Sequence, residues 1–225
     1  MEKVKMAAHR SINIYRNLWK DKRFVLSVLI GAFALVLSFV VNYFAGVFAA
    51  NSVSNPVTDI ILDNTRVWDV TFIFINGAVI FWVFVASFLV YEPKRLPFTL
   101  KSLALFTVIR SAFIILTHLA PFPTHLVLPT ENMIDMFTFG GDLFFSAHTG
   151  GPFLIALIMW DRKYIRYICL ASSVIFGVVV LLGHLHYSID VFGAFFITYS
   201  IYHMSIYFFK KDFTLMNVIS NSKIS

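Results

Sequence analysis

Residues 24–50 read FVLSVLIGAFALVLSFVVNYFAGVFAA, and this stretch decides the fold because it contains no charged side chain. A helix needs about 20 apolar residues to cross the hydrocarbon core of a bilayer. The apolar region of a secretory signal peptide is only about 7–15 residues long. The stretch therefore predicts a membrane-spanning helix rather than a signal that is removed.

Five further apolar stretches follow along the chain, separated by short polar segments. Of the whole chain, 59% of the residues are hydrophobic and 13% are charged, whereas about 25% of the residues of a soluble domain are charged. The mean hydropathy is +0.79. We therefore predict an all-α polytopic membrane domain at 24–209, with a basic segment at 1–23 before it and a cytoplasmic tail at 210–225. The six predicted spans cover residues 24–50, 69–91, 102–120, 142–160, 167–184 and 187–209.

The basic residues are distributed unequally between the two sides of the predicted bundle. With a cytoplasmic N-terminus, all but two of the 18 Lys and Arg residues fall on the cytoplasmic side. The exceptions are Arg66 in an outer loop and Arg110 within the third span. Cytoplasmic loops are enriched in Lys and Arg, so both termini are predicted to be cytoplasmic. The formal charge of +6 therefore reflects topology and does not indicate nucleic-acid binding.

Histidines collect on the opposite, outer side of the predicted bundle. Five of the 7 histidines lie in or beside the outer loops. Ionisable side chains in or beside membrane spans are costly and usually functional. This distribution predicts a site at the outer edge of the bundle. The five residues are His118, His125, His148, His184 and His186.

His186 and Asp190 stand four residues apart at the start of the sixth predicted span. Residues at this spacing share one face of a helix. A carboxylate that binds one ring nitrogen leaves the other with a free lone pair, so His186 is a candidate nucleophile oriented by Asp190. The alternative is structural, with the pair only capping and tethering the start of the helix.

A second histidine cluster reads GGDLFFSAHT at residues 140–149. Glycine permits close backbone approach, and the amide groups at a helix start suit a phosphate. The Ser146 and Thr149 hydroxyls are candidate donors to that phosphate, and His148 is a candidate proton carrier. The structural alternative is a Ser/Thr-rich helix cap beside an interfacial histidine.

Arg110 is the lone arginine of the third predicted span, so it is expected to face the bundle interior. Its guanidinium matches phosphate oxygens. The alternative is an interhelical salt bridge to Asp142 or Asp190. The sequence contains no glycine-rich nucleotide loop and no His/Cys set with zinc-ligand spacing, so neither a cofactor nor a metal is predicted.

The two histidine clusters resemble motifs of the sphingomyelin synthases, a branch of the lipid phosphate phosphatase (phosphatidic acid phosphatase type 2) superfamily. Residues 140–149 are similar to the family's third motif, Cys-Gly-Asp-x-x-x-Ser-Gly-His-Thr. Residues 186–191 are similar to the fourth, His-Tyr-Thr-x-Asp-Val. Residues 110–121 and 56–63 are more weakly similar to the second and first motifs. The resemblance covers about residues 55–205 and includes the six spans.

The resemblance implies a covalent mechanism at these residues. It implies that His186 attacks a lipid phosphate, that Asp190 assists it, and that His148 exchanges protons with the leaving and entering alcohols. The sequence departs from the family at Ala147, where the family has Gly, and at Gly140, where it has Cys. The predicted phosphate- and substrate-binding residues are Arg110, Gly141, Asp142, Ser146, Thr149 and Tyr187.

The position six residues before His186 separates two branches of the superfamily. The wider phosphatase superfamily has an arginine there, and this chain has Val180. The difference favours the synthase branch. We therefore expect transfer of a phospho-headgroup from a glycerophospholipid to a lipid alcohol, ceramide or diacylglycerol.

Two other functions are compatible with the sequence. One is hydrolysis at the same site, as in a lipid phosphate phosphatase or a phospholipase C-like enzyme. The other is a non-enzymatic lipid-binding or transport protein whose histidines are structural. The predicted partners are lipid substrates and the membrane, and the sequence leaves the oligomeric state open.

Overall fold

The computed structural model describes residues 17–127 and 143–221, with the side chains of 218–221 excepted. Every regular element in these ranges is helical. The first turn of α2, Ile73–Gly77, is π-helical, and short 3₁₀ turns lie at Leu62–Asn64 and Pro93–Arg95. The helices are α1 (Lys22–Asn51), α2 (Ile73–Tyr91), α3 (Leu96–Leu116), α4 (Ala147–Ile158), α5 (Lys163–Leu182), α6 (Ser188–Phe208) and α7 (Lys210–Asn221).

Five of these helices, α1, α2, α3, α5 and α6, are long and apolar enough to cross a membrane. This confirms the all-α polytopic class predicted from the sequence. The fourth predicted span, 142–160, is wrong in length because α4 has only 12 residues. Ser146 caps the start of α4, and the chain leaves the helix at Met159, just before the polar turn that contains Asp161. Residue 142 lies outside the described residues.

The third predicted span, 102–120, is also displaced, because α3 begins at Leu96 and ends at Leu116. A proline near the start of α3, Pro97, suits the first turn of a helix. Lys101 lies within the helix, where its Nζ donates to Asp212 Oδ2 at 2.6 Å and to Ser27 Oγ at 2.7 Å. These partners explain why a lysine does not mark the helix boundary.

The bundle is built around two groups of packed helices. α1 packs along α3, and α4 packs against both α5 and α6. The close approach of α5 is possible because Gly177 has no side chain: a Cβ there would lie 3.1 Å from Val191 Cγ1 and 3.4 Å from Thr149 Oγ1. α2 makes the least extensive contacts with the other long helices. The apolar core lies between these helices and is rich in phenylalanine.

The two ends of the bundle differ in their polar side chains. The ion-pair end is formed by the α2–α3 and α4–α5 connections, where Arg95 binds Glu92 Oε2 at 2.7 Å and Asp161 Oδ2 at 2.6 Å. The histidine end contains the starts of α4 and α6 and the described loops 52–72 and 117–127. Both histidine clusters found in the sequence lie at this second end.

Candidate active site

A tight turn between α5 and α6 places His186. The backbone of Gly183 donates to Val179 O at 3.0 Å, and that of Leu185 donates to Val180 O at 2.9 Å. His184 has a φ of 52°, a left-handed conformation that lets the chain reverse after α5. The next helix therefore starts beside the end of the previous one, and His186 is 7% exposed at that point.

Asp190 both caps α6 and faces His186. Its Oδ2 accepts a hydrogen bond from Tyr187 N at 2.8 Å and lies 3.4 Å from His186 Nδ1. Neither His186 Nδ1 nor Asp190 Oδ1 has a hydrogen-bond partner among the described residues. Asp190 Oδ2 therefore caps the start of α6, as the structural alternative predicted. The same oxygen also makes a long contact with the His186 imidazole. Because Nδ1 faces the carboxylate, Nε2 is the ring nitrogen directed elsewhere.

His148 lies in the first turn of α4, next to the start of α6. The link is a backbone hydrogen bond of 3.1 Å from Ser146 N to Asp190 O. The Ser146 hydroxyl oxygen accepts from Thr149 N at 3.4 Å and from Thr149 Oγ1 at 3.3 Å. The structure therefore uses these two buried hydroxyl groups as the helix cap, which was the structural alternative for Ser146 and Thr149.

Arg110 connects α3 to the start of α4. Its Nε donates to Phe145 O at 2.9 Å, and its Nη1 donates to Asn42 Oδ1 at 3.3 Å. The side chain is 5% exposed, so it faces the bundle interior as expected. His148 lies within electrostatic range of both Arg110 and His186. The structure thus brings together the three predicted residues from α3, α4 and the α5–α6 turn.

Asn42 is a part of this network that the sequence analysis missed. Its Oδ1 accepts from Arg110 Nη1 and from Ser111 Oγ, each at 3.3 Å. A signal was available, because Asn42 is a buried amide inside the apolar stretch 24–50. Buried polar groups in a membrane span require partners. The amide helps to fix the direction of the Arg110 guanidinium.

The His148 imidazole is surrounded by aromatic rings. The Phe74 ring stacks on it with a centroid separation of 4.1 Å and an interplanar angle of 25°. The Phe176 ring meets it edge-on at 6.1 Å. Phe74 lies in the π-helical turn of α2, and such turns occur frequently at functional sites. The two rings hold the imidazole in one plane, and this role of Phe74 was not predicted.

Tyr187 has a structural role that differs from the predicted substrate contact. Its hydroxyl donates to Ala120 O at 2.9 Å and accepts from Val57 N at 3.3 Å. The side chain is 1% exposed. These bonds tie both described outer loops to the start of α6. The hydroxyl group therefore forms its hydrogen bonds within the protein.

Asp59 and His184 strengthen the same attachment of the loops. Asp59 Oδ2 accepts from Ser188 N at 2.7 Å, in the first turn of α6. Burial raises the pKa of the Asp59 carboxyl, but the hydrogen bonds from Ser188 and the neighbouring backbone outweigh burial and hold it below its usual value. The His184 ring lies between Thr124 Oγ1 at 2.8 Å and Thr65 Oγ1 at 3.3 Å. Burial lowers the pKa of His184, which favours the neutral ring in this position.

Two predicted phosphate-binding residues, Gly141 and Asp142, lie outside the described residues. Within 17–127 and 143–221, no group of three or more His, Cys, Asp or Glu side chains is arranged to hold a metal ion. The described part of the site therefore consists of two imidazoles, one carboxylate, one guanidinium and the backbone amides at the starts of two helices.

Residues 140–207 match the family model described as PAP2 superfamily C-terminal. The matched segment contains His148, His186 and Asp190 and covers less than a third of the chain. The match supports membership of the phosphatidic acid phosphatase type 2 superfamily, whose members are generally phosphatases or phosphotransferases. Together with the apolar helices, it supports an integral membrane protein and an enzyme. No curated protein and no solved structure matches the chain.

Proposed function

We propose that this protein is a lipid phosphotransferase that moves a phospho-headgroup, such as phosphocholine, from a glycerophospholipid to ceramide or diacylglycerol. The observation that carries the proposal is the 3.1 Å hydrogen bond from Ser146 N to Asp190 O. It joins the starts of α4 and α6, next to His148 and His186, and so supports the two histidines acting at one site. The resemblance of residues 140–149 and 186–191 to sphingomyelin synthase motifs supports this class of headgroup and acceptor.

In the first half-reaction, His186 Nε2 attacks the phosphorus of the donor lipid. The N–P bond forms while the P–O bond to diacylglycerol breaks, and protonated His148 gives its proton to the departing oxygen. Asp190 lies on the Nδ1 side of the His186 ring at 3.4 Å and stabilises the positive charge that the ring acquires. The products of this step are free diacylglycerol and a phosphohistidine that carries the headgroup.

In the second half-reaction, neutral His148 takes the proton of the acceptor hydroxyl. The acceptor oxygen attacks phosphorus, the N–P bond breaks, and His186 returns to its free state. A covalent intermediate divides one difficult displacement into two easier ones. Arg110 and the amides at the start of α4 supply positive charge to the phosphate oxygens in both steps.

We further propose that this site faces the non-cytoplasmic side of the membrane. The distribution of Lys and Arg between the loops supports this orientation. The concentration of histidines at one end of the bundle supports an enzyme over a transport protein, because transporters place their binding sites near the middle of the bilayer.

The experiment is a transfer assay with purified protein in lipid nanodiscs. Phosphatidylcholine labelled in the headgroup is incubated alone, with ceramide, or with diacylglycerol whose chains differ in length from those of the donor. A quench in denaturing detergent at alkaline pH preserves any phosphohistidine for mass spectrometry, because the N–P bond is labile in acid. We expect label on His186 in the absence of acceptor and label in the product lipid after an acceptor is added. Release of water-soluble phosphocholine in all three samples would show that the site catalyses hydrolysis instead of transfer. Absence of both product and covalent label would refute the proposal.

A further inference from the structure

Two apolar spaces meet at His148. The first, here called the slot, is a partly open cavity of about 330 Å³ bounded by side chains of α1, α2, α3, α4 and α5. Among the described residues that line it, His148 is the only ionisable one. Its walls include Leu35 and Phe39 of α1, Leu103 and Phe106 of α3, and Phe176 of α5.

The second space, here called the groove, has a volume of about 450 Å³ and runs along α2. Apart from His148, all of its described lining residues belong to α2. Val79 and Val83 line it and are 51% and 60% exposed, so the groove faces the lipid around the bundle. Its walls are apolar, as in the slot.

Trp82 stands between the slot and the groove. Ala78, Trp82 and His148 line both spaces, so the two are neighbours along one edge of α2. The indole lies against Gly151 of α4, where an added Cβ would be 3.1 Å from Trp82 Cζ2. Because Gly151 has no side chain, the Trp82 ring can contact α4 and separate the two spaces. Both spaces end at the same imidazole.

The chemistry of these walls selects hydrocarbon. An unpaired polar group placed among them would lose its hydrogen bonds to water without replacement. Each CH₂ group transferred there from water gains about 0.8 kcal/mol. A molecule that fills both spaces has two apolar branches that join at a polar group beside His148.

We propose that the slot and the groove hold the two hydrocarbon chains of the donor lipid, one on each side of Trp82. This inference rests on the proposed function, because it places the phosphate of that lipid at His148 and His186. The donor reaches the site sideways from the bilayer, past α2, which packs least against the rest of the bundle. The slot then selects donors with two chains over donors with one.

The test compares two substitutions on α3. Leu103→Trp fills the slot from its wall, and Val108→Trp adds the same side chain on a face that is 44% exposed to lipid. Each variant is assayed with phosphatidylcholine and with lysophosphatidylcholine, which has one chain. We expect Leu103→Trp to lower kcat/KM for phosphatidylcholine about tenfold relative to lysophosphatidylcholine, while Val108→Trp leaves the ratio unchanged. An unchanged ratio in a folded Leu103→Trp protein would overturn the inference.

A binding measurement keeps this test separate from the test of the proposed function. Phosphatidylcholine with a photoactivatable group at the end of one chain is cross-linked to the wild-type protein and to His186→Ala. We expect labelled peptides from the slot walls on α1 and α3 when one chain carries the group. Labelling confined to exposed residues such as Phe33 and Val36 would overturn the inference. Slot labelling without any turnover in the wild type would instead reject the proposed function and retain the chain-binding site.

Discussion

The ion-pair end and the histidine end both contain buried polar side chains, but they satisfy them differently. At the ion-pair end, the fully buried Arg95 binds Glu92, Asp161 and the carbonyl oxygen of Ile158 at distances of 2.6–3.2 Å. At the histidine end, His186 Nδ1 and Asp190 Oδ1 have no hydrogen-bond partner among the described residues. Buried polar groups in proteins are nearly always paired, so those that are not require an explanation.

The difference indicates that the charged groups at the ion-pair end stabilise the fold, whereas those at the histidine end are available for chemistry. The ion-pair end stabilises the connection between helices, since Arg95 has short contacts to two carboxylates and a carbonyl oxygen. Arg162 Nε is the exception there, without a hydrogen-bond partner among the described residues and 3.7 Å from Asp161 Oδ2. Arg162 also binds Glu92 Oε1 at 2.5 Å and so extends the network. The histidine end keeps a ring and a carboxylate at 3.4 Å, which leaves them able to respond to a charged ligand. The comparison predicts that substitutions at the two ends affect different measured quantities.

The largest effect is expected for His186→Ala, which removes the proposed nucleophile. The covalent species should disappear and transfer should fall to the background level, while thermal unfolding in nanodiscs should change little. His203→Ala is the matched control, because His203 is an exposed histidine of the same helix that contacts Tyr199 and Tyr202 near the other end. Retention of the phosphohistidine in His186→Ala would show that another residue is the nucleophile.

Asp190→Asn should resemble His186→Ala in the transfer assay, since the His186 ring then loses its orienting carboxylate.

A smaller loss is expected for His148→Ala. General acid–base groups contribute about 10²–10⁴-fold to a rate, so both formation and breakdown of the phosphohistidine should slow by a factor in this range. Rapid-quench measurements of the two half-reactions supply the test. A loss confined to one half-reaction would contradict the double role of His148 as acid and base.

At the ion-pair end, Arg95→Ala should reduce stability rather than chemistry. Removing one partner of a buried ion pair costs about 3–5 kcal/mol. Asp161 is partly exposed and Glu92 keeps Arg162 as a partner, so we expect the lower end of this range, about 3 kcal/mol. The free energy of unfolding should fall by this amount, with kcat per folded molecule unchanged. Lys163→Ala is the control on an exposed residue nearby, and substitutions of this kind change stability by about 0.5 kcal/mol or less. Equal destabilisation by both variants would show that the ion pairs of Arg95 contribute no more to the free energy of unfolding than an exposed lysine does.

Tyr187→Phe tests the assignment of this hydroxyl to the fold. The substitution removes the bonds to Ala120 and Val57 and should lower stability by about 1 kcal/mol. The KM for the donor lipid should stay near the wild-type value. A large rise in KM at unchanged stability would restore the predicted substrate contact.

The smallest effect is expected for metal removal. The proposed chemistry uses imidazole as nucleophile and as acid–base, so treatment with EDTA should leave the transfer rate unchanged. Loss of activity that is restored by added Mg²⁺ would replace the phosphohistidine scheme by metal-assisted hydrolysis. The assay should include a sample dialysed against buffer alone to correct for loss of protein.

The sequence was sufficient for features that depend on local spacing. Six spans were predicted from the apolar stretches, and five described helices are long enough to cross a membrane. The i, i+4 spacing predicted the contact between His186 and Asp190, but His186 lies in the turn before α6, which begins at Ser188, and does not share a helix face with Asp190. Contacts between distant parts of the chain could not be predicted in this way. Lys101 pairs with Asp212, which lies 111 positions further along the chain. Because this partner could not be predicted, Lys101 was assigned to a loop and the start of α3 was placed too late.

The roles of individual hydroxyl groups were the least predictable part of the candidate site. Ser146, Thr149 and Tyr187 have the same donor chemistry whether they bind a phosphate or the backbone. Only the fold decides between these uses, because it determines which carbonyl or amide group lies within reach. Asn42 was detectable as a polar residue in an apolar stretch, but its partner Arg110 was not.

The shortness of α4 has a consequence for the membrane itself. A helix of 12 residues is about 18 Å long, whereas the hydrocarbon layer of a bilayer is about 30 Å thick. If the ion-pair end is level with one surface, His148 lies roughly 10 Å below the other. α4 is itself buried in the bundle, and α3, α5 and α6, with 20–21 residues, are long enough to match the full layer. The start of α4 therefore lies at the floor of a recess, and a lipid phosphate has to leave the level of the surrounding headgroups to reach the depth of His148.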